Sequence, residues 1–143
     1  MPITPDNKFS WSLASLQRNK LTNQYEPLQP YVLAELSRSC NAKVFLDVGA
    51  NIGFYSVFLA DELGLKKVYA YEPMPAAFDQ LIENIKLNEQ ENIIQPVKCA
   101  LSSEVGQTEM YIFGELSGAN AIGVTSIHSD KKWSVLKMLC ARH

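Results

Sequence analysis

Apolar and polar positions follow one another along this chain in blocks that predict alternating strands and helices. Residues 43–48 and 67–71 are short apolar runs bounded by turn residues, and each has the length of a strand buried on both faces. The segment between them has the length of a helix and ends at Gly64. After Pro75, apolar residues recur with the spacing i, i+3, i+4, i+7, which is typical of a second helix.

A third apolar run at residues 97–101 predicts a third strand. The order strand, helix, strand, helix, strand favours a parallel sheet with right-handed crossovers, which is a Rossmann-like βαβαβ unit. Residues 108–113 alternate in polarity, so one further strand is predicted there, followed by a loop of small residues at 117–126. The fold class is therefore α/β.

The ends of the chain are less regular. Residues 1–26 are polar and predict an arm that lies on the body of the protein or stays mobile. An apolar residue at every fourth position predicts a helix over residues 27–37, with Leu28, Val32 and Leu36 on one face. The tail at residues 128–143 fits an amphipathic helix over 133–139 slightly better than it fits sequence without regular structure. The chain is thus expected to divide into an amino-terminal arm at residues 1–26, a ligand-binding part at 27–127 and a tail at 128–143.

Composition narrows the function classes. With 47% hydrophobic residues and a formal net charge of −2, the chain gives no electrostatic reason to expect nucleic acid or an acidic membrane as a partner. It has neither a leader-like amino terminus nor the roughly 18 uninterrupted apolar residues of a membrane span, so a cytoplasmic location is expected. Its three cysteines form no CxxC pair, and no metal site is expected.

The stretch FLDVGANIGFYS at residues 45–56 joins the first predicted strand to the first predicted helix. Its glycines lack the Cβ atoms that would collide with a ligand, and Asn51 tolerates a left-handed backbone. A nicotinamide-dinucleotide fingerprint would need glycine at positions 51 and 54, where this chain has Asn51 and Phe54. The turn therefore predicts a ligand other than NAD, although a tight connection without any ligand has the same local sequence.

Glu72 ends the second predicted strand, 23 positions after Gly49. Nucleotide-binding βαβ units place an acidic residue about 20 positions after their glycine turn, where its carboxylate accepts hydrogen bonds from ribose hydroxyls. Asn84 and Asn88 follow at helical spacing, and a solvated helix face with a stop at Asn88 explains them as well as a ligand contact does. Glu72 is thus the strongest single candidate for a ligand contact.

Three segments together resemble the FkbM-type methyltransferase family: FLDVGANIGFYS, VYAYEPMPAAFDQLIENIKLN and CALSSEVGQTEMYI, within about residues 25–127. The spacing D-x-G-x-N-x-G in the first segment is that of motif I in S-adenosylmethionine-dependent methyltransferases. The resemblance implies a Rossmann-like fold, S-adenosylmethionine as cofactor, and O-methylation of a hydroxyl on a small molecule or sugar.

The resemblance also implies which residues hold each part of the cofactor. The methionine part is assigned to the glycine turn and the ribose to Glu72, while the adenine is assigned to the residues after Glu72 and to the third strand. The implied cofactor-binding set is Asp47, Gly49, Ala50, Asn51, Gly53, Phe54, Glu72, Pro73, Met74, Ala100 and Leu101.

The family continues into a second half of the sheet with an acidic segment near the transferring methyl group, where this chain has SDKKWSVLKMLCARH. We therefore expect an amino-terminal piece with an incomplete parallel sheet, and the catalytic residues are unknown. The edge at strand 43–48 is then left uncovered, and either the tail at residues 128–143 folds over it or a second copy pairs with it in a homodimer. The alternative function is a catalytically inactive remnant that binds S-adenosylmethionine or oligomerises.

Overall fold

A computed structural model describes residues 28–103, 105–112, 121–122 and 134–142 of the chain. Helices and strands alternate over the first part of these residues, and strands alone follow, as expected for the α/β class. The elements are α1 (Gln29–Ser39), β1 (Val44–Val48), α2 (Phe54–Leu63), β2 (Lys67–Tyr71), α3 (Pro75–Leu87), β3 (Ile94–Val97), β4 (Ala100–Ser102), β5 (Gly106–Ile112), β6 (Ala121–Ile122) and β7 (Ser134–Arg142).

The first sheet is the predicted βαβαβ unit. Its strand order is β1-β2-β3, and both pairs are parallel. Asp47 is paired with Ala70, and Val48 with Tyr71, so β1 and β2 end side by side. The prediction that the glycine turn and Glu72 leave the sheet at the same edge is therefore confirmed.

One face of this sheet forms the core with the helices. Val68, Ala70 and Ile94 are buried on that face, because alternate residues of a strand point to the same side. The helices contribute mainly Val57 and Leu59 from α2 and Leu81 from α3, all without solvent exposure. The remaining buried members of the cluster are Ala34, Ala50, Phe58, Ala60, Leu65 and Ile85.

The prediction that β1 is buried on both faces is wrong. Val44, Leu46 and Val48 have exposed fractions of 49%, 46% and 60%, whereas Asp47 on the opposite face is buried. Within the described ranges β1 is hydrogen-bonded to β2 alone. The apolar sequence of β1 therefore reflects a surface that no described residue covers.

Helix α1 forms as predicted but buries a different face. Leu28, Val32 and Leu36 are exposed, whereas Pro30 and Ala34 are buried. Small residues let α1 approach α2 closely, and the rings of Tyr31 and Phe58 then meet edge to face, with centroids 6.0 Å apart. The period of the apolar residues predicted the helix correctly, but the size of the side chains that face α2 decided which side of α1 is buried.

The third strand was predicted with the wrong bounds. The run at 97–101 is divided between β3, which ends at Val97, and β4, which begins at Ala100. The backbone N–H of Cys99 donates to the carbonyl of Val97 at 3.0 Å, which closes a tight turn between them. β3 therefore completes the first sheet, and β4 starts a second one.

The second sheet has the order β4-β7-β5-β6, so the expectation of only one further strand is wrong. β5 confirms the alternating strand predicted near residues 108–113. The helix favoured for residues 133–139 is also wrong, because β7 pairs antiparallel with β5 over residues 134–140 and parallel with β4 over residues 140–142. Inter-strand hydrogen bonds from two neighbours replace the local bonds that a helix would have formed.

Some expectations concern residues outside the described part of the chain. The arm at residues 1–26 lies outside it, as does the loop at 117–126 apart from β6. The division of the chain at residues 26 and 127 therefore stays a prediction. Among the described helices, none combines the length and the apolar character needed to cross a membrane.

Candidate ligand site at the carboxyl edge of the first sheet

The turn between β1 and α2 has the left-handed backbone that its sequence predicted. Gly49, Asn51 and Gly53 have φ angles of 79°, 51° and 86°. The backbone N–H groups of Gly49 and Ala50 both donate to the carbonyl of Tyr71 at 2.9 Å, so the end of β2 holds the start of the turn. The turn thus lies at the carboxyl edge of two adjacent parallel strands, where open α/β sheets bind ligands.

The two glycines of the turn serve different purposes. A Cβ atom on Gly53 would lie 2.4 Å from Cδ1 of Leu81, so this glycine lets the turn pack directly against α3. A Cβ atom on Gly49 would meet no atom within 4 Å. Gly53 is therefore required by packing, whereas the space beside Gly49 is open to a ligand.

Glu72 connects the two strand ends. Its Oε2 accepts a hydrogen bond from the backbone N–H of Asn51 at 2.8 Å, and its Oε1 accepts one from the N–H of Met74 at 2.9 Å. The residue is buried, and burial raises the pKa of its carboxyl group, while the two N–H groups act in the opposite direction. Each oxygen retains a further acceptor position, since a carboxylate oxygen has two lone pairs.

Asp47 lies on the buried face of β1. Its Oδ2 accepts a hydrogen bond of 2.6 Å from the hydroxyl of Ser56, in the first turn of α2. Burial raises the pKa of Asp47, and the hydrogen bonds from Ser56 partly offset this. The charge of Asp47 also raises the pKa of Glu72, so the site holds two electrostatically coupled carboxyl groups.

Asn51 carries an atom that the described residues leave unsatisfied. Its Oδ1 is buried and accepts no hydrogen bond from them. A buried acceptor without a partner is costly, and a donor group on a ligand would remove that cost. The ammonium of an amino acid moiety or a sugar hydroxyl has the required chemistry, so the turn fits a ligand that carries either group.

The other residues that the resemblance assigned to the cofactor lie in three different parts of the fold. Phe54 is the first residue of α2 and stacks on Phe58 at a centroid distance of 6.3 Å. Pro73 and the buried Met74 follow Glu72 directly and precede α3. Ala100 and Leu101 belong to β4 of the second sheet and pair with β7, so their placement in the third strand of the first sheet is wrong, while their assignment to the adenine stays a prediction.

Asn84 was missed as a site residue. The expectation of a solvated face is wrong for it, because it has no exposed surface and its Nδ2 donates to the carbonyl of Ile52 at 2.7 Å. The signal in the sequence was its position: it lies one helical turn after Leu81, on the apolar face of α3. A polar residue on such a face needs a buried partner.

Metal ligands form no comparable site. Within the described ranges, no group of three or more His, Cys, Asp or Glu side chains is placed to hold a metal ion. The features of this edge are instead two buried carboxyl groups, an unpaired amide oxygen and an open glycine position.

Comparison with known proteins identifies relatives of the segment that contains this site. The model of the family described as TRM5/TYW2 methyltransferase domain matches residues 33–114, which is more than half of the chain. The methyltransferase sdnD of Sordaria araneosa is 32% identical over 77 residues, covering 54% of this chain and 30% of that protein.

A second relative is the tRNA(Phe) (4-demethylwyosine(37)-C(7)) aminocarboxypropyltransferase of Methanocaldococcus jannaschii, which is 44% identical over 52 residues. That match covers 36% of this chain and 21% of the relative. Among solved structures, M. jannaschii TYW2 in complex with AdoMet has a TM-score of 0.49 at 30% identity, covering 62% of this chain and 37% of the other. The chain thus spans less than a third of the length of the two curated relatives.

Proposed function

Since this chain belongs to the TRM5/TYW2 methyltransferase domain family, we propose that its glycine turn and Glu72 bind S-adenosylmethionine. The class predicted from the sequence, a methyltransferase that uses S-adenosylmethionine, is confirmed at the level of the family. One observation carries the proposal for this site: the open, left-handed turn after β1 is tied through the Asn51 N–H to the carboxylate at the end of β2. That arrangement supports the proposal, because nucleotide-binding βαβ units have an acidic residue beside a turn that the ligand approaches.

Each part of the cofactor has proposed partners. The methionine part lies along Asp47, Gly49, Ala50, Asn51 and Gly53, where the unpaired Oδ1 of Asn51 accepts a hydrogen bond from its ammonium group. The ribose hydroxyls donate to the lone pairs that Glu72 retains. Pro73 and Met74 contact the adenine, and the remaining candidates are Phe54, Ala100 and Leu101.

The chemistry of transfer belongs to the cofactor, whose sulfonium group activates the methyl for attack by an acceptor. The residues of this chain bind and orient it, and positioning supplies much of the acceleration in such reactions. We propose an acceptor hydroxyl on a small molecule or sugar, as the similarity to FkbM-type methyltransferases implies. This acceptor class is supported by the three matching sequence segments alone.

RNA is a second candidate acceptor. The name of the M. jannaschii relative specifies a tRNA substrate, and this chain is 44% identical to it over 52 residues. Against RNA stands the formal net charge of −2, because RNA-binding surfaces are normally basic. The third alternative, an inactive module that only binds the cofactor or oligomerises, differs from both in lacking turnover.

Calorimetric titration of the full chain with S-adenosylmethionine, S-adenosylhomocysteine and NAD tests the cofactor. We expect binding of the first two and at least tenfold weaker binding of NAD. The matched variants are Gly49→Ala and Gly64→Ala, since both glycines have positive φ and open space around the missing Cβ. Each change should cost about 1–2 kcal/mol in backbone strain, but only Gly49→Ala should abolish cofactor binding. Equal affinity of the two variants, or tighter binding of NAD, contradicts the proposal.

Transfer of a radiolabelled methyl group to sugars, polyols and tRNA then separates the acceptors. Label in the sugar or polyol fraction supports the hydroxyl acceptor, and label in tRNA alone supports the second candidate. Binding without any transfer supports the inactive module. Gly64→Ala, which lies outside the proposed site, is the reference for activity in each assay.

We also propose that the chain self-associates through β1. Among the described residues, one hydrogen-bonding edge of β1 pairs with no other strand. The side chains of Val44, Leu46 and Val48 are also exposed, and both observations support the proposal. Unpaired edges with apolar side chains readily add another strand. A homodimer that pairs two such edges is the simplest closed arrangement.

A further inference from the structure

Helix α3 contains a buried polar contact with the glycine turn that no motif explains. The Nδ2 of Asn84 donates to the carbonyl of Ile52 at 2.7 Å, across 32 positions of sequence, and Asn84 has no exposed surface. Burying an amide is unfavourable unless it is hydrogen-bonded. The contact therefore fixes both the side chain and the carbonyl that it reaches.

The turn is held at this point from two sides. On the side of β2, the carboxylate of Glu72 accepts the N–H of Asn51. On the side of α3, Asn84 donates to the carbonyl of Ile52, the residue that follows Asn51. The peptide group before Asn51 is thus restrained through its N–H, and the peptide group after Ile52 is restrained through its carbonyl oxygen.

Packing against the same helix strengthens this restraint. Gly53 lies so close to Leu81 of α3 that a Cβ atom would not fit between them. Leu81 and Asn84 are three residues apart, so they lie on the same face of the helix. Helix α3 therefore meets the turn through one apolar and one polar contact.

We infer that Asn84 is a positioning residue, which holds the 49–53 turn in the shape that binds the cofactor. The inference rests on the proposed function, because it assigns Asn84 to the same site without any contact to the ligand itself. Residues that orient a contact residue commonly have effects on binding well beyond their own hydrogen bond. A peptide held in advance also spares the ligand the entropy loss of ordering the turn.

Asn84→Ala tests the inference, and Asn88→Ala is the matched control. Asn88 is the same residue type one turn later, and its Nδ2 donates within α3, to the carbonyl of Asn84 at 2.8 Å. If the cavity left by alanine unfolds the chain, Asn84→Leu keeps a side chain of similar shape and removes the donor. The two measurements are amide hydrogen exchange at Asn51 and Gly53 without ligand, and calorimetric titration with S-adenosylhomocysteine.

We expect the substitution at Asn84 to accelerate exchange of the turn amides about tenfold relative to those of β2. Binding should weaken about three- to tenfold, the range of a single net hydrogen bond. Asn88→Ala should leave the exchange of the turn and the affinity close to those of the wild type. Both variants are compared at a temperature where urea unfolding shows them to be folded.

The experiment distinguishes a failure of the proposed cofactor binding from a failure of the proposed role of Asn84. If the wild-type chain binds no S-adenosylhomocysteine, the proposed function fails, and hydrogen exchange still decides whether Asn84 holds the turn. Unchanged exchange at Asn51 and Gly53 in the Asn84 variants overturns the inference. So does faster exchange with wild-type affinity, or an equal loss of affinity in Asn84→Ala and Asn88→Ala, since either result reduces Asn84 to a general stabiliser of the fold.

Discussion

At the scale of single residues, burial disfavours the charged forms of Asp47 and Glu72. Both carboxyl groups are buried, which raises their pKa values, and the charge of Asp47 raises the pKa of Glu72 further. The native state therefore binds their protons more tightly than the unfolded state does. By linkage, the free energy of unfolding falls as pH rises from roughly pH 4, the ordinary carboxyl range, through the raised pKa values.

Two substitutions should change this dependence in opposite directions. Asp47→Asn keeps an acceptor for the Ser56 hydroxyl but removes the charge, so stability should fall less steeply with pH. Ser56→Ala removes the hydrogen bond that lowers the pKa of Asp47, so the decline should extend to higher pH. Urea unfolding between about pH 4 and about pH 7 measures both slopes. Parallel curves for all three proteins would show that Asp47 does not titrate in this way.

At the scale of elements, the turn and α3 interlock at one point, where Gly53 meets Leu81. Gly53→Ala should destabilise the protein by about 2–4 kcal/mol, from strain at positive φ and from overpacking. Leu81→Ala leaves a cavity in the core and should cost about 2–5 kcal/mol. The double variant should be more stable than the sum predicts, because the shortened side chain makes room for the new methyl group.

A double-mutant cycle from urea unfolding measures this coupling. Gly64→Ala paired with Leu81→Ala is the control cycle, since Gly64 has positive φ but no atom near its missing Cβ. The control should be additive within about 0.5 kcal/mol. Additivity in the Gly53 cycle as well would mean that the turn shifts away from α3 instead of packing against it.

At the scale of the whole molecule, the first sheet buries one face and exposes the other at β1. If the chain self-associates there, Val44→Lys should shift it toward monomer, because a lysine opposes strand addition at an edge. Val105→Lys introduces the same change at an exposed valine that is not part of β1, and should leave the oligomeric state unaltered. Size-exclusion chromatography with light scattering distinguishes these outcomes, and a monomeric wild type refutes the proposed homodimer.

The sequence by itself determined α3, the first two strands and the turn that follows β1. Short apolar runs predicted the strands β1 and β2, the period of the apolar residues predicted α3, and Pro75 marked the start of α3. The glycines and Asn51 predicted the left-handed turn, and their φ angles have the expected sign. These features depend on the backbone preferences and the polarity of residues that are close together in sequence.

Tertiary structure decided which partners and surfaces these elements acquired. The burial of Pro30 and Ala34 in α1, the assignment of residues 134–142 to a strand, and the reach of Asn84 to Ile52 all depend on residues distant in sequence. A periodic pattern fixes the repeat of a helix but leaves open which side finds a close neighbour. Likewise, an apolar tail satisfies its backbone either locally or against adjacent strands, and the presence of β4 and β5 on both sides selects the strand.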